Sequence, residues 1–469
     1  MTRRRAGYRA ACAAVLSMVC MQACAWLGPL PDAQLDRTRP LDRRAAPLRL
    51  VGPDGRVPRA TRERITRRLA EIGEDNLLAR HLAAMEEVSP APLVAGNEVG
   101  LLVDGPQTYA AVFEAIERAR DHVNLETYIF DDARHRGTRL TDLLVAAASR
   151  RVTVNLLYDA LGSMGTDAAI FERLRAAGVQ LCAFNPLNPA DSRTGRYAQR
   201  THRKIVVVDG RVAFSGGLNF SGEYASSSSA IIRRGRPTIE DGWRDTHVQV
   251  EGPAVQEIQK LFLASWAKQR CPELTPAGYL PPARDAGDKL LRLDASSIDD
   301  RPGETYVAAL AAVSFARRSI DVTMAYFAPD DRLQEALVDA ARRGVRVRML
   351  LPGISDFTGI LHAGRAHYGP LLEAGIEIHE EPRAFVHAKT LVVDGIWSTV
   401  GSANWDYRSF ADNDELNVVV IDAEFAARMT ALFERDLAPA RRITLEAWRA
   451  RPLWRRSVEG FWRLWERLL

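Results

Sequence analysis

Two stretches of the chain set a histidine, a lysine and an aspartate at the same spacing: His202-x-Lys204-x4-Asp209 and His387-x-Lys389-x4-Asp394. Ten residues beyond each Asp stands an Asn, in Gly216-Gly217-Leu218-Asn219 and in Gly401-Ser402-Ala403-Asn404. Two imidazoles, two ammonium groups and two carboxamides at matched offsets predict one site assembled from two related halves. That composition suits an anionic phosphodiester. One imidazole can attack phosphorus, while the other, protonated, donates to the departing alkoxide and then takes the proton of the acceptor. Imidazole titrates near neutrality, so one group can do both jobs in turn. Lys204, Lys389, Asn219 and Asn404 can neutralise and hold the phosphoryl oxygens, and Gly217 and Ser402 let the backbone approach them. This chemistry calls for no metal and no cofactor. Asp209 and Asp394 belong to the two tracts, but each precedes a Gly where a hairpin turn wants Asp, so they are expected to tie the tract together.

A lone His-x-Lys says little, and the repetition carries the argument. Each tract reads as strand, turn and strand: Ile205 to Val208 and Thr390 to Val393 are β-branched runs, followed by Asp-Gly and a second apolar run. On a strand, His202 and Lys204 would project to one face, as would His387 and Lys389. The repeat extends upstream. Residues 123–130 match 320–327, residues 152–157 match 345–350, and a helical pattern lies between each pair. This predicts two α/β domains with mixed sheets flanked by helices. An acidic residue recurs on a late strand, as Asp245 and Glu415, where it could orient a catalytic imidazole through its other ring nitrogen. A solvated strand end is the plainer alternative for both.

The expected layout is a leader over 1–24, a helical segment over 25–96, a domain over 97–270, a Pro-rich linker over 271–287, a second domain over 288–436 and a basic amphipathic helix over 437–469. Arg3, Arg4, Arg5 and Arg9 precede an apolar run from Ala10 to Leu27, the pattern of an export signal or a marginal membrane anchor. Met21-Gln22-Ala23-Cys24-Ala25 resembles a lipoprotein processing site with Cys24 acylated. Of five cysteines three lie in this leader; the spacing of Cys182 and Cys271 predicts no bond, and buried free thiols are expected. His202 and Asp245 stand 43 residues apart but His387 and Glu415 only 28, because a Ser-rich insert from Ala225 to Pro237 has no counterpart in the second half. It is read as a lid or a surface loop. From Arg441 onward there are eight Arg against three Glu, and Trp454, Val458, Phe461, Trp465 and Leu468 recur at helical spacing. A Trp/Arg amphipathic helix suits the interface of an anionic membrane, with a helix docked on the protein's own body as the alternative. Net charge is +4, which carries no nucleic-acid signal.

The paired tracts and their Gly/Ser-x-Asn extensions resemble the phospholipase D superfamily over roughly residues 97–422. Leu125-Glu126-Thr127-Tyr128-Ile129, Gly216-Gly217-Leu218-Asn219-Phe220, Trp243-Arg244-Asp245 and Val400-Gly401-Ser402-Ala403-Asn404 are most similar to bacterial cardiolipin synthases of the short type, which lack two N-terminal membrane spans. The resemblance implies one active site between two homologous domains and transfer of a phosphatidyl group through a phosphohistidine. Phosphatidylglycerol would accept the group, giving cardiolipin and glycerol. It also favours His202 as nucleophile and His387 as acid and base. Phospholipid substrates and an anionic membrane surface are the expected partners, at the bacterial membrane and facing the periplasm. Hydrolysis to phosphatidic acid by the same site is the alternative; a nuclease fits less well, since those often carry one tract per chain and dimerise, and a non-catalytic lipid-binding protein would have a broken tract, whereas neither is broken here.

Overall fold

In the computed structural model, residues 91–187, 198–224, 242–298 and 303–469 are described, with short pieces at 50–52, 57, 63 and 226. The leader with Cys24, the helical pattern expected over 65–85 and nearly all of the Ser-rich insert lie outside the described residues.

The first half contributes strands β1 (Leu93–Val103), β2 (His122–Thr127), β3 (Thr153–Asp159), β4 (Gln180–Phe184), β5 (Ile205–Val208), β6 (Val212–Gly216) and β7 (Thr246–Glu251). The second contributes β8 (Lys289–Ser296), β9 (Ser319–Met324), β10 (Arg346–Pro352), β11 (Glu377–Glu381), β12 (Lys389–Val393), β13 (Trp397–Gly401), β14 (Glu415–Ile421) and β15 (Arg441–Ile443). The first half is ordered β1-β7-β6-β5-β2-β3-β4 and the second β8-β14-β13-β12-β9-β10-β11, followed by β15 at the edge. In each half the three outermost strands of that shared order run parallel and the others antiparallel, as helical crossovers and hairpins require. β1 and β8 pair antiparallel, Leu291 opposite Val94, so the two half-sheets become one sheet, sixteen-stranded with the short strand Leu50–Val51 that pairs parallel with β1.

Three of the sequence boundaries differ from the structure. β1 opens at Leu93, ahead of residue 97. The Pro-rich segment from Cys271 packs onto the first half, where Gly278 N–H donates to Asp121 and Gln256 donates to the Pro281 carbonyl at 2.5 Å. The stretch after residue 437 is not one helix. β15 pairs with β11, a short helix Leu445–Arg449 follows, and Pro452 separates it from the helix Leu453–Arg463.

Cys182 on β4 and Cys271, just past the helix Ala254–Lys268, form a disulfide with Cα atoms 5.5 Å apart. The expectation of free thiols is therefore corrected. A sequence separation of 89 residues carries no pairing signal, whereas the packing of Phe262 and Trp266 against Leu157 and Phe184 brings the two backbones together. Each half has its own apolar cluster between sheet and helices, and a third cluster joins them, with Val207 and Val248 from the first half beside Val392 and Val418 from the second. Burial across this joint fixes the halves against each other at roughly 25 cal/mol for each Å² of apolar surface removed from water.

Candidate active site

The hairpins form as the Asp-Gly signals predict. Asp209 and Gly210 both have positive φ, at 54° and 59°, and Arg211 N–H donates to the Val208 carbonyl, which makes a type I′ turn. Asp394 and Gly395 repeat it with φ of 55° and 67°. The Asp209 carboxylate accepts from the backbone N–H groups of Arg120, Asp121 and His122 at 2.8–3.2 Å. Asp394 does the same for Arg317, Arg318 and Ser319. Both carboxylates thus anchor the start of the neighbouring strand, at the far end of the hairpin from the histidines.

His202, Lys204 and His387 stand just before their strands rather than within them, and Lys389 is the first residue of β12. The reason is that each segment leaves its own sheet to bond the opposite half. His202 N–H donates to the Asp414 carbonyl at 2.8 Å, and His387 N–H donates to the Arg244 carbonyl at 2.7 Å. The side chains cross over likewise. His202 Nδ1 lies 2.9 and 3.0 Å from the two oxygens of Glu415 on β14. His387 Nδ1 lies 2.7 Å from Asp245 Oδ2, which precedes β7. Each imidazole is therefore oriented by a carboxylate of the other half, and neither half holds a complete histidine–acid pair.

All of these groups are buried. Lys204 Nζ donates to the His202 carbonyl at 2.6 Å and lies 5.6 Å from the Tyr128 ring centre; Lys389 Nζ donates to the His387 carbonyl at 2.5 Å and lies 5.9 Å from that of Tyr326. Burial pushes Lys204 down to about 7 and Lys389 down to about 8, each partly restored by Glu415 and Asp245. The His202 imidazole falls to about 4, first through burial and then through both ammonium groups, with Glu415 opposing. His387 is depressed further, by burial, by Lys389 and Lys204, and by His202. Burial opposes ionisation of Glu415, yet His202, Lys204 and the Ser402 hydroxyl hold it down at about 2. The site is thus a place where cationic groups crowd one another, and an anion bound there would raise the proton affinity of all four.

Ser402 and Gly217 occupy equivalent positions and serve the orienting acids. Ser402 Oγ donates to Glu415 at 2.5 Å, which commits its hydroxyl to the orienting acid. A Cβ on Gly217 would lie 2.1 Å from Asp245 Oδ1, so only glycine fits beside the shorter carboxylate. Asn219 uses its carboxamide oxygen on Ile129 N–H at 3.2 Å, whereas the buried Oδ1 of Asn404 has no hydrogen-bond partner among the described residues.

Some residues at the site escaped the sequence. Tyr224 Oη is 3.0 Å from His387 Nδ1 and receives the Asn219 amide at 3.4 Å. Trp243, Phe385, Tyr326 and Tyr224 enclose the His387 ring, with centroids 5.1–6.3 Å away, while among the described residues His202 has a ring contact with Tyr128 alone, at 5.4 Å. Asp356 accepts from Tyr326 Oη at 2.7 Å. Tyr128 and Tyr326 are one register step apart in the repeat, so aligning the halves does not pair them. The Arg244 guanidinium joins Asp436 at 2.6 Å and also donates to the Asp245 carbonyl, coupling the halves beside the site.

A family model described as cardiolipin synthase, PLD-like domain, matches residues 112–232 and 310–437. The chain belongs to this family. A cardiolipin synthase of Alkalihalophilus pseudofirmus is 34% identical over 406 residues, covering 86% of this chain and 78% of that protein. The major cardiolipin synthase of Bacillus subtilis is 32% identical over 372 residues, covering 78% and 74%. Among solved structures, a phosphatidylserine synthase of Haemophilus influenzae superposes with a TM-score of 0.59 at 12% identity, over 84% of this chain and all of that one, which shows a shared fold.

Proposed function

We propose that the protein is a phosphatidyltransferase that makes cardiolipin from phosphatidylglycerol at the bacterial membrane, by way of a phosphohistidine. The crosswise pairing of two imidazoles with two carboxylates carries this reading, because it supplies a nucleophile and an acid around one anion-seeking cleft. Family membership supplies the lipid.

His202 suits the nucleophile. Glu415 receives its Nδ1 proton with both oxygens, and its Nε2 has no hydrogen-bond partner among the described residues. His387 sits in an aromatic enclosure with Asp245 on Nδ1, which suits proton transfer rather than attack. Nε2 of His202 forms a bond to phosphorus as the bond to the glycerol oxygen breaks, and His387 donates a proton to that oxygen. The primary hydroxyl of a second phosphatidylglycerol then loses its proton to His387 and displaces His202, regenerating both imidazoles. Lys204, Lys389, Asn219 and Asn404 stabilise the charge on the equatorial oxygens. Asp209 and Asp394 shape the hairpins, while Glu415 and Asp245 position the rings, with Ser402 acting through Glu415 and Gly217 leaving room for Asp245.

A periplasmic location is supported by the export-type leader together with the Cys182–Cys271 disulfide, since such bonds persist in oxidising compartments. Acylation of Cys24 would anchor the chain there.

Purified protein incubated with phosphatidylglycerol vesicles should release glycerol and form cardiolipin, both identified by mass spectrometry, and His202→Ala and His387→Ala should each abolish it. Phosphatidic acid as the main product would replace the synthase reading with a hydrolase. Substantial turnover by either variant would sink the two-half site.

A further inference from the structure

The C-terminal helix Leu453–Arg463 is built inside out. Among the described residues, five of the seven exposed large apolar side chains lie here: Leu453 (75% exposed), Trp454 (62%), Phe461 (54%), Leu464 (83%) and Trp465 (43%). At 100° per residue they share one arc of about 120°. This corrects the stripe read from sequence, since Val458 is half-buried and Leu464 takes a place in the exposed face. The inward side carries polar groups beside Trp462 and Val458. Glu459 is buried and accepts from Arg451 at 3.0 Å, and Glu466, in the turn that follows, meets His367 Nε2 at 2.8 Å. Trp462 packs on Gly359, where an added Cβ would come within 2.9 Å of its ring. A helix of a water-facing surface shows the reverse, apolar inside and polar outside.

The surroundings narrow what covers this face. Arg455, Arg456, Arg463 and Arg467 border it, with Arg455 over the Trp454 ring at 5.3 Å. Indole and guanidinium groups around an apolar strip match the interface of an anionic bilayer, where rings sit at headgroup depth and arginines reach phosphates. The helix also rests on the frame of the catalytic cleft. It packs against the helix Thr358–Ala366, which begins two residues after Asp356, the partner of Tyr326 beside His387 and Lys389. The turn Glu466–Leu468 packs against the helix Tyr407–Ala411, three residues after Asn404.

We propose that this face docks the protein on an anionic membrane, with the apolar strip inserted at the interface and the cleft held against the lipid surface that supplies its substrate. The docking role rests on the reading above that the substrate is a phospholipid. It does not require a membrane-crossing element, and no helix among the described residues is long and apolar enough to cross a bilayer.

The test uses the full chain. Quenching of tryptophan fluorescence by brominated phosphatidylglycerol vesicles should be strong in the unaltered protein and fall sharply in the double variant Trp454→Phe, Trp465→Phe. A tether at the N-terminus would hold both proteins on the vesicles alike, so the difference reports insertion of this face. In a second variant, Trp454→Ser, Phe461→Ser and Leu464→Ser, the KM for vesicular phosphatidylglycerol should rise about tenfold or more. Turnover of dispersed short-chain phosphatidylglycerol should be unchanged. Unchanged quenching together with unchanged vesicle kinetics would overturn the proposal. So would an equal loss on both substrates, or a loss of dimers in light scattering with vesicle binding intact, which would assign the face to a second copy. Insertion without turnover of either lipid by the unaltered protein would leave docking standing and defeat the proposed reaction instead.

Discussion

His202 and His387 have unlike surroundings, and the proposed division of work between them rests on the difference. Glu415, held near 2 and gripped by Ser402, is a firm anion that keeps the Nδ1 proton of His202 and leaves Nε2 open for the proposed attack. Replacing it by Gln should lower kcat by about 10²–10⁴-fold with little change in KM, since an amide can impose the wrong tautomer. Tyr224→Phe should cost much less and should move the pH profile, because it removes a hydroxyl from His387 Nδ1. Gly217→Ser, which looks conservative beside Ser402, should inactivate by forcing the added side chain into Asp245. The pH dependence follows from the signs of the shifts. In the free enzyme His202 must be neutral while His387, as the acid, and both lysines must be protonated, so kcat/KM should rise through about 4 on the His202 limb and fall as His387 and then Lys204 and Lys389 deprotonate, the lysines through about 7 and about 8. A profile still flat at pH 9 would show that these ammonium groups do not carry the charge stabilisation.

At the scale of elements, the hairpins and the disulfide decide how firmly the site is presented. Asp394 satisfies three amide groups at the start of β9, so Asp394→Ala should destabilise the fold by about 2–4 kcal/mol, read from denaturant unfolding. Its effect on turnover should come through loss of folded protein rather than through kcat. The Cys182–Cys271 bond closes a loop that contains the whole first tract, and Cys182→Ser with Cys271→Ser should remove about 2–5 kcal/mol. The strands and turns of both tracts were legible in the sequence because β-branched runs and Asp-Gly pairs act locally. The exact strand starts were not, since backbone bonds to the opposite half draw His202 and His387 out of their own ladders.

Across the whole molecule, the halves are bound into one sheet and each completes the other's histidine. Arg244 stands at this joint, with its guanidinium on Asp436 and its carbonyl on His387 N–H. Arg244→Ala should therefore cost about 1–3 kcal/mol, by removing the hydrogen bonds to half-buried Asp436 and to the Asp245 carbonyl, and should lower kcat as well. If stability fell with kcat intact, the joint would be a fastener only. By itself the sequence determined the two tracts, the two-fold repeat and the recurrence of an acid at Asp245 and Glu415, all of which are written in residue types at matched places in the two halves. It did not determine which acid serves which histidine, the presence of Tyr224 at His387, the cysteine pairing or the direction in which the C-terminal helix faces. Those depend on contacts between segments far apart in the chain, and only the packing of one half against the other decides them. An amphipathic pattern states that a helix has two faces, while the burial of Glu459 and the contact of Glu466 with His367 settle which of them is turned outward.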